Sequence, residues 1–290
     1  MKGGLDKDEL VRLVRIGLSV GLRKVRVTGG EPLVRKDIVE VVRGLSSLHG
    51  IDDLSLTTNG VFLPRYARSL KQAGLGRINV SLDTLDPRKF TQITGKAGME
   101  EILLGLEEAR KVGFSPVKIN VVLLRGVNDD ELSSFLDFGR VHRAVIRFIE
   151  FMPVAQGPQC PQWYEWKRHF MPREEVLRRL ESQIDASVVP FGKPGEPAKY
   201  YTTTDGTVFG IISPVSHSFC DGCTRLRIAS DGRLLACMAG QGEVDLAGPL
   251  RAGASDEEIR NLFHMAAAMK PRRTALDRPV DSRPMYQIGG

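Results

Sequence analysis

Cysteine is scarce in this 290-residue chain: there are four, and none precedes Cys160. So few thiols exclude a disulfide framework, and in a reducing compartment clustered ones read as metal ligands or redox groups. Aromatic residues make up 7% of the chain and do not interleave with the basic ones, which argues against a stacking platform for single-stranded nucleic acid. No apolar run approaches the roughly 18–20 residues that a membrane span needs. The N-terminus, "MKGGLDKDELVRL", lacks the apolar core of a signal peptide, so a cytoplasmic location is expected. Positive charge is what the chain has in excess. Lys and Arg number 41 against 35 Asp and Glu, and the net charge of +6 suits an acidic partner such as a phosphorylated small molecule.

The first half alternates helix and strand. Asp6 and Glu9 are spaced to cap a helix whose apolar face is Leu10, Leu13, Val14 and Leu18, stopped at Gly21. "KVRVTGG" then reads as a strand, followed by a helix opened by Asp37 and Glu40 with Ile38, Val41, Val42 and Leu45 as its stripe. The pattern continues through strand "DLSLTTNG", a helix over Pro64–Ala73, strand "RINVSLD", a helix over Glu100–Val112 and strand "VKINVVLL". A capping box of Asn128 and Glu131 predicts a helix over Asp130–Gly139, before strand "VIRFIEF". Such stacked βα units indicate an α/β protein with a parallel sheet, as a barrel or partial barrel. The texture changes after Pro153, so residues 1–152 are expected to form the βα core and 153–290 a C-terminal α+β region. There Arg173–Gln183 and Asp256–Met269 read as helices, and Asp205-Gly206 as the turn of a hairpin.

Several strands carry polar residues near their C-terminal ends, where βα barrels place active sites: Arg26 and Thr28, Thr57 and Thr58, Ser81 and Asp83, Lys118 and Asn120, and Glu150. Alternation puts Arg26 with Thr28, and Lys118 with Asn120, on one face of the sheet. Two readings follow. The cations are neutralised internally, Lys118 by Glu150 and Arg26 by Glu31, or they await an anionic ligand. "TGGEP", with paired glycines after a strand, lets the backbone approach a ligand closely, though it is neither a dinucleotide fingerprint nor a phosphate loop.

Cys220 and Cys223 form a Cys-x-x-Cys pair, and Cys237 folds back toward them after a turn at Asp231-Gly232. With His217 the set could bind a structural zinc as Cys3His. Alternatively, three thiolates hold three irons of a cubane cluster and leave the fourth open to a ligand. Arg225 and Arg227, alternating onto one face beside the thiols, suit an anionic ligand better than a closed zinc site. Cys160 reads as a bystander.

Together "VRVTGGEPLVRKDI", "LTTNGVFL", "INVSLDTLDP", "VKINVVLLRGVNDDE", "RFIEFMP", "SPVSHSFCDGCTRLRIASDGRLLAC" and the terminal "IGG" resemble the GTP 3′,8-cyclases of molybdenum-cofactor biosynthesis, radical S-adenosylmethionine enzymes, from about Leu5 to Gly290. The resemblance implies a partial (β/α)6 radical-SAM barrel with a C-terminal region that binds an iron–sulfur cluster. It places S-adenosylmethionine at Gly29, Gly30, Glu31, Pro32, Ser81 and Met152. Its GTP contacts fall on Arg26, Thr57, Lys118, Arg225 and Arg227, and Cys220, Cys223 and Cys237 match the ligands of a 4Fe–4S cluster whose open iron binds guanine. Gly289 and Gly290 match a tail that reaches the active site. The implied reaction uses a 5′-deoxyadenosyl radical to abstract the ribose 3′ hydrogen of GTP, after which C3′ attacks C8. An electron donor, a downstream cyclic pyranopterin monophosphate synthase and a homodimer partner are implied as well; membrane and nucleic acid are not.

The sequence departs from the family in one respect. The family's radical-generating cluster is held by Cys-x-x-x-Cys-x-x-Cys after a first strand, and this sequence contains neither motif nor strand. The expectation is a barrel lacking its first strand, with one sheet edge unpaired, and a polypeptide that by itself does not generate the radical. A misplaced start or a fragment accounts for this more simply than decay into a non-catalytic protein that binds GTP or a partner, the alternative function.

Overall fold

The computed structural model describes residues 3–154, 166–184, 189–191, 197–239, 242–272, 276 and 283. Helix α1 (Lys7–Ser19) starts at Asp6, whose side chain accepts from the Glu9 amide while Glu9 accepts from the Asp6 amide. This is the expected capping box. The chain continues through β1 (Lys24–Val27), α2 (Ile38–Ser46), β2 (Asp53–Thr58), α3 (Leu63–Gln72), β3 (Arg77–Ser81), α4 (Pro87–Thr94), α5 (Met99–Lys111), β4 (Val117–Leu123), α6 (Leu132–His142) and β5 (Ala144–Glu150).

Two helix starts differ from the sequence reading because other partners, a neighbouring arginine in one case and distant loops in the other, prevail over the caps. Asp37 makes no side-chain cap at α2; Arg35 Nε holds its carboxylate at 2.7 Å. At α6 the Asn128–Glu131 box does not form. Glu131 instead accepts from Thr84 Oγ1 at 2.7 Å and the Leu85 amide at 2.6 Å, and Asn128 ties the Leu124 amide to the Asp83 and Val122 carbonyls. Both residues thereby bolt the loop after β3 to the loop after β4. Helix α4, which the sequence reading did not contain, is capped by Asp86 through the Arg88 and Lys89 amides.

Beyond Pro153 come α7 (Trp166–His169), α8 (Arg173–Ile184), β6 (Val189–Phe191), β7 (Ala198–Thr202), β8 (Val208–Ile212), β9 (Arg227–Ile228), β10 (Arg233–Leu235), β11 (Glu243–Asp245), α9 (Ala247–Arg251) and α10 (Asp256–Ala268). The β7–β8 hairpin turns at Asp205-Gly206 as expected, with Gly206 at φ +82°. It does not stand apart from the βα core. The main sheet runs β1-β2-β3-β4-β5-β8-β7-β6, parallel from β1 to β8 and antiparallel beyond. Strands β1 and β6 are its two ends, so among the described residues the sheet does not close into a barrel.

Strand register gives this sheet two unlike faces. Leu56, Ile78, Val80, Ile119, Val121, Ile146, Phe148, Phe209 and Ile211 point to the side covered by helices and are essentially fully buried. Each contributes roughly 1.5–3 kcal/mol by leaving water. Phe148 packs edge-on against Phe135 and Phe209, with ring centroids 6.2 Å apart in both pairs.

A second core joins the two ends of the chain. Leu5, Leu13 and Ile16 from the α1 region share it with Leu234, Val244, Leu250, Ile259 and Phe263. Arg12 pairs with Asp256 at 2.9 Å and Arg251 with Glu9 at 2.7 Å across the same seam. The small β11-β10-β9 sheet, which carries the cysteine segment, is thus mounted on the first helix.

Candidate active site

The sheet face opposite the helices is polar. Register aligns Arg26, Ser55 and Arg77 in one row, Thr57, Asn79 and Lys118 in the next, and Ser81, Asn120, Arg147, Gly210 and Tyr200 in a third. Arg147, 6% exposed, donates through Nη2 to Asn79 Oδ1 at 2.9 Å and Asn120 Oδ1 at 2.6 Å. Asn79 in turn donates to Thr57 Oγ1 at 3.2 Å. Lys118 Nζ donates to Tyr200 Oη at 2.8 Å and sits 5.3 Å from that ring's centroid. Arg77 is paired with Asp53.

Neither internal neutralisation considered from the sequence occurs. Glu150 projects from the helix-covered face, in the row of Leu123, and receives the Arg173, Val215 and Ser216 amides. Glu31 turns to the Leu33 amide, Thr58 Oγ1 and the Asn59 amide. Arg26 therefore has no ion-pair partner among the described residues.

Crowded cations repel one another, and their proton affinities record it. Arg26 is held below its ordinary value by desolvation, then by Arg77 and Arg225; its side chain remains open to solvent, so the neighbouring charges are the firmer cause. Burial and then Arg26 pull Arg147 down, and burial followed by Arg225 brings Arg227 down to about 10. The buried Nε of Arg147 has no hydrogen-bond partner. A sheet face with excess positive charge and an unanswered buried donor suits an anion.

Just past β1, Gly29 adopts φ +143°, a conformation closed to side chains, and Pro32 opens a single turn over Pro32–Val34 in which Pro32 and Leu33 are buried. The three Glu31 contacts strap this turn to the end of β2. Ser81 is the exposed last residue of β3, and Met152 lies half-buried just past β5. Asp83 accepts from the Val122 amide at 2.7 Å, and burial of its carboxylate raises its pKa to about 6.

Cys220 and Cys223 sit at the two ends of one tight turn, the Cys223 amide donating to the Cys220 carbonyl at 3.0 Å. Cys237 follows β10, whose Leu234 and Leu235 pair with Ile228 and Arg227 of β9. All three are thiols rather than disulfides, and all three are half-buried. Burial works against the Cys223 thiolate, but the Arg225 amide and guanidinium and then Lys270 outweigh it, leaving the thiol below its ordinary value. Cys237 Sγ accepts from the Ala239 amide at 3.5 Å. Arg225 lies 4.8 Å over the Phe219 ring, and Arg227 feels both Cys223 and Cys237 as well as Arg26. The cysteine segment therefore faces the polar sheet face. His217 is directed elsewhere, to Glu174 and to Arg173 Nη2 at 2.9 Å. Among the described residues, no three His, Cys, Asp or Glu side chains are arranged to share one metal ion. Three thiols outside any disulfide, with an amide donor and cations around them, nonetheless fit the donor chemistry of an iron–sulfur cluster.

Sequence reasoning missed Arg77, Asn79, Arg147 and Tyr200. For the first three a signal existed, since polar residues at alternate positions interrupt "RINVS" and a lone arginine interrupts the apolar run of "VIRFIE". Tyr200 reaches the site only because the β7–β8 hairpin extends the main sheet. Gly289, Gly290 and Cys160 lie outside the described residues.

This pairing of an α/β sheet with a cysteine-bearing appendix has a counterpart among known families. Residues 2–139 match the Radical SAM superfamily, and residues 144–276 match the family described as Molybdenum Cofactor Synthesis C. The chain is thus a radical-SAM protein of molybdenum-cofactor biosynthesis. Among its relatives is the GTP 3′,8-cyclase of Thermodesulfovibrio yellowstonii, 40% identical over 99% of this chain and 87% of the relative. Those of Peptoclostridium acidaminophilum (42%; 98% and 85%) and Moorella thermoacetica (39%; 99% and 87%) are similar to it as well. The chain belongs to the GTP 3′,8-cyclase family.

Proposed function

We propose that the polar face of the sheet binds GTP for 3′,8-cyclisation, with the triphosphate among the sheet cations and the guanine at the cysteine segment. What carries this reading is the repulsive cluster of Arg26, Arg147 and Arg227, with the Arg147 Nε buried and unpartnered. A triphosphate relieves that repulsion, and each charge-assisted contact adds about 1.5–3 kcal/mol. Lys118 and Thr57 line the same face, while Arg225 and Arg227 close the other side.

Cys220, Cys223 and Cys237 would hold a 4Fe–4S cluster with one open iron, and S-adenosylmethionine would lie along Gly29–Pro32, Ser81 and Met152. Bound there, the two cofactors supply the family's one-electron chemistry. The chain's own part is to orient the ribose, hold the phosphates and keep water from the reacting carbons. With no cysteine before Cys160, residues 1–159 offer no thiolates for a cluster that cleaves S-adenosylmethionine. We place the protein in the cytoplasm, served by an electron donor and followed by a cyclic pyranopterin monophosphate synthase.

Anaerobic titration calorimetry with GTP tests the site. Replacing Arg225→Met and Arg227→Met together should weaken binding at least about tenfold, the loss of one good charge-assisted contact. Unchanged affinity would overturn the role of these arginines. Reconstitution should give about four irons per chain; stoichiometric zinc without iron would overturn the cluster.

A further inference from the structure

The two arms of the cysteine segment have little backbone strength of their own. β9 and β10 pair through Ile228↔Leu234 and Arg227↔Leu235, with the Ala229 amide bonded to the Arg233 carbonyl at 2.8 Å at the turn; a two-stranded ladder that short is marginal in water, and only the β10 arm is backed by β11. Lys270, two residues past the end of α10, bridges them from outside the hairpin. Its Nζ donates to the Arg225 carbonyl at 2.6 Å and to the Ala236 carbonyl at 2.9 Å. Arg225 follows Cys223 by two residues, and Ala236 immediately precedes Cys237.

A second contact fixes the same junction. The Ala236 amide donates to the Gly242 carbonyl at 3.0 Å, and Gly242 adopts φ +79°. A Cβ there would lie 2.9 Å from Met269 Cβ and 3.4 Å from Ala236 Cβ. The chain leaving the cysteine hairpin is therefore packed tightly against the turn that carries Lys270. That turn is itself immobilised, because Ile259, Phe263 and Ala266 of α10 are buried in the core shared with α1.

We propose that Lys270 is a positioning residue: its ammonium holds the Cys223 and Cys237 arms at a fixed separation and keeps a positive charge beside the thiolates they carry. This rests on the reading of the three cysteines as cluster ligands. Hydrogen bonds from a charged donor to two carbonyls are worth more than neutral ones, and a cation near a cluster favours its reduced, more negative form. Arg225 and Arg227 face the sheet cations, whereas Lys270 is bound to main-chain carbonyls, so its charge stays in place whatever the substrate.

The test uses the full chain with Lys270→Met and Lys270→Arg. In protein without iron, hydrogen exchange of the amides at 227–235 should be about tenfold faster in Lys270→Met and near wild type in Lys270→Arg. After reconstitution, Lys270→Met should lose iron to a chelator faster and its cluster midpoint potential should shift negative; Lys270→Arg should restore both. Unchanged exchange together with an unchanged potential in Lys270→Met overturns the proposal. If the wild type takes up no iron but Lys270→Met still loosens the hairpin, the cluster reading fails and the clamp stands. Should Lys270→Met not fold, Gly242→Ala leaves the lysine intact but displaces its turn, and must accelerate exchange of the same amides; protection equal to wild type there refutes the clamp.

Discussion

Replacing Glu150 by glutamine removes one charge from a buried junction and leaves the shape unchanged. Glu150 is 2% exposed and accepts four hydrogen bonds. Oε1 receives the Arg173 amide at 3.0 Å and the Ser216 hydroxyl; Oε2 receives the Val215 and Ser216 amides, both at 2.9 Å. Glutamine can keep its carbonyl at the Oε2 position, where both donors are amides that cannot reverse. Its NH2 then faces the Ser216 hydroxyl, which can turn to accept, and the Arg173 amide, which cannot. The Arg173 amide is left with only its longer 3.5 Å contact to Ser216 Oγ, a loss of about 1–3 kcal/mol, and two others exchange a charged acceptor for a neutral one at roughly 1 kcal/mol each. Arg173 opens α8, so a carboxylate stabilising a helix N-terminus is lost too. The expected destabilisation is about 3–5 kcal/mol, measured by urea unfolding followed by circular dichroism. Val215 and Ser216 lead into the cysteine turn, so Glu150→Gln should also retain less iron. A stability loss under about 1 kcal/mol would refute the reasoning, because it would mean the donors had found other partners.

Asp83 predicts an unusual acid response. Its folded pKa of about 6 exceeds the unfolded value of 3.8, so the native state takes up a proton first and stability rises as pH falls from about 7 toward 4. Asp83→Asn should flatten that rise, which is of order 1–3 kcal/mol; an equal slope in the variant would contradict it. Gly105→Ala places a Cβ 2.9 Å from both the Gly60 carbonyl oxygen and Leu63 Cβ where α5 meets α3, and should cost about 1–3 kcal/mol in thermal or urea unfolding. This polypeptide, reconstituted with iron and reduced in the presence of S-adenosylmethionine, should release no 5′-deoxyadenosine above a protein-free control; chromatographic detection of stoichiometric product would overturn that expectation.

The helix and strand order of the first half, α4 apart, the polar strand ends and the cysteine spacing were legible in the sequence by itself, because they rest on local chemistry. A period of 3.6 or 2 reads the same in any context, and Asp6 with Glu9 caps α1 as its spacing indicates. Tertiary structure decided which partner each polar group took. Glu131 and Asn128 have the composition of a helix cap, yet they join two loops whose proximity no local signal encodes. Glu150 and Lys118 look like an ion pair until register places them on opposite faces of the sheet. Arg147, Tyr200 and Lys270 reach the site or its ligand arms only through strand pairing and helix packing between distant parts of the chain, and electrostatic partners are set by distance in space rather than separation in sequence.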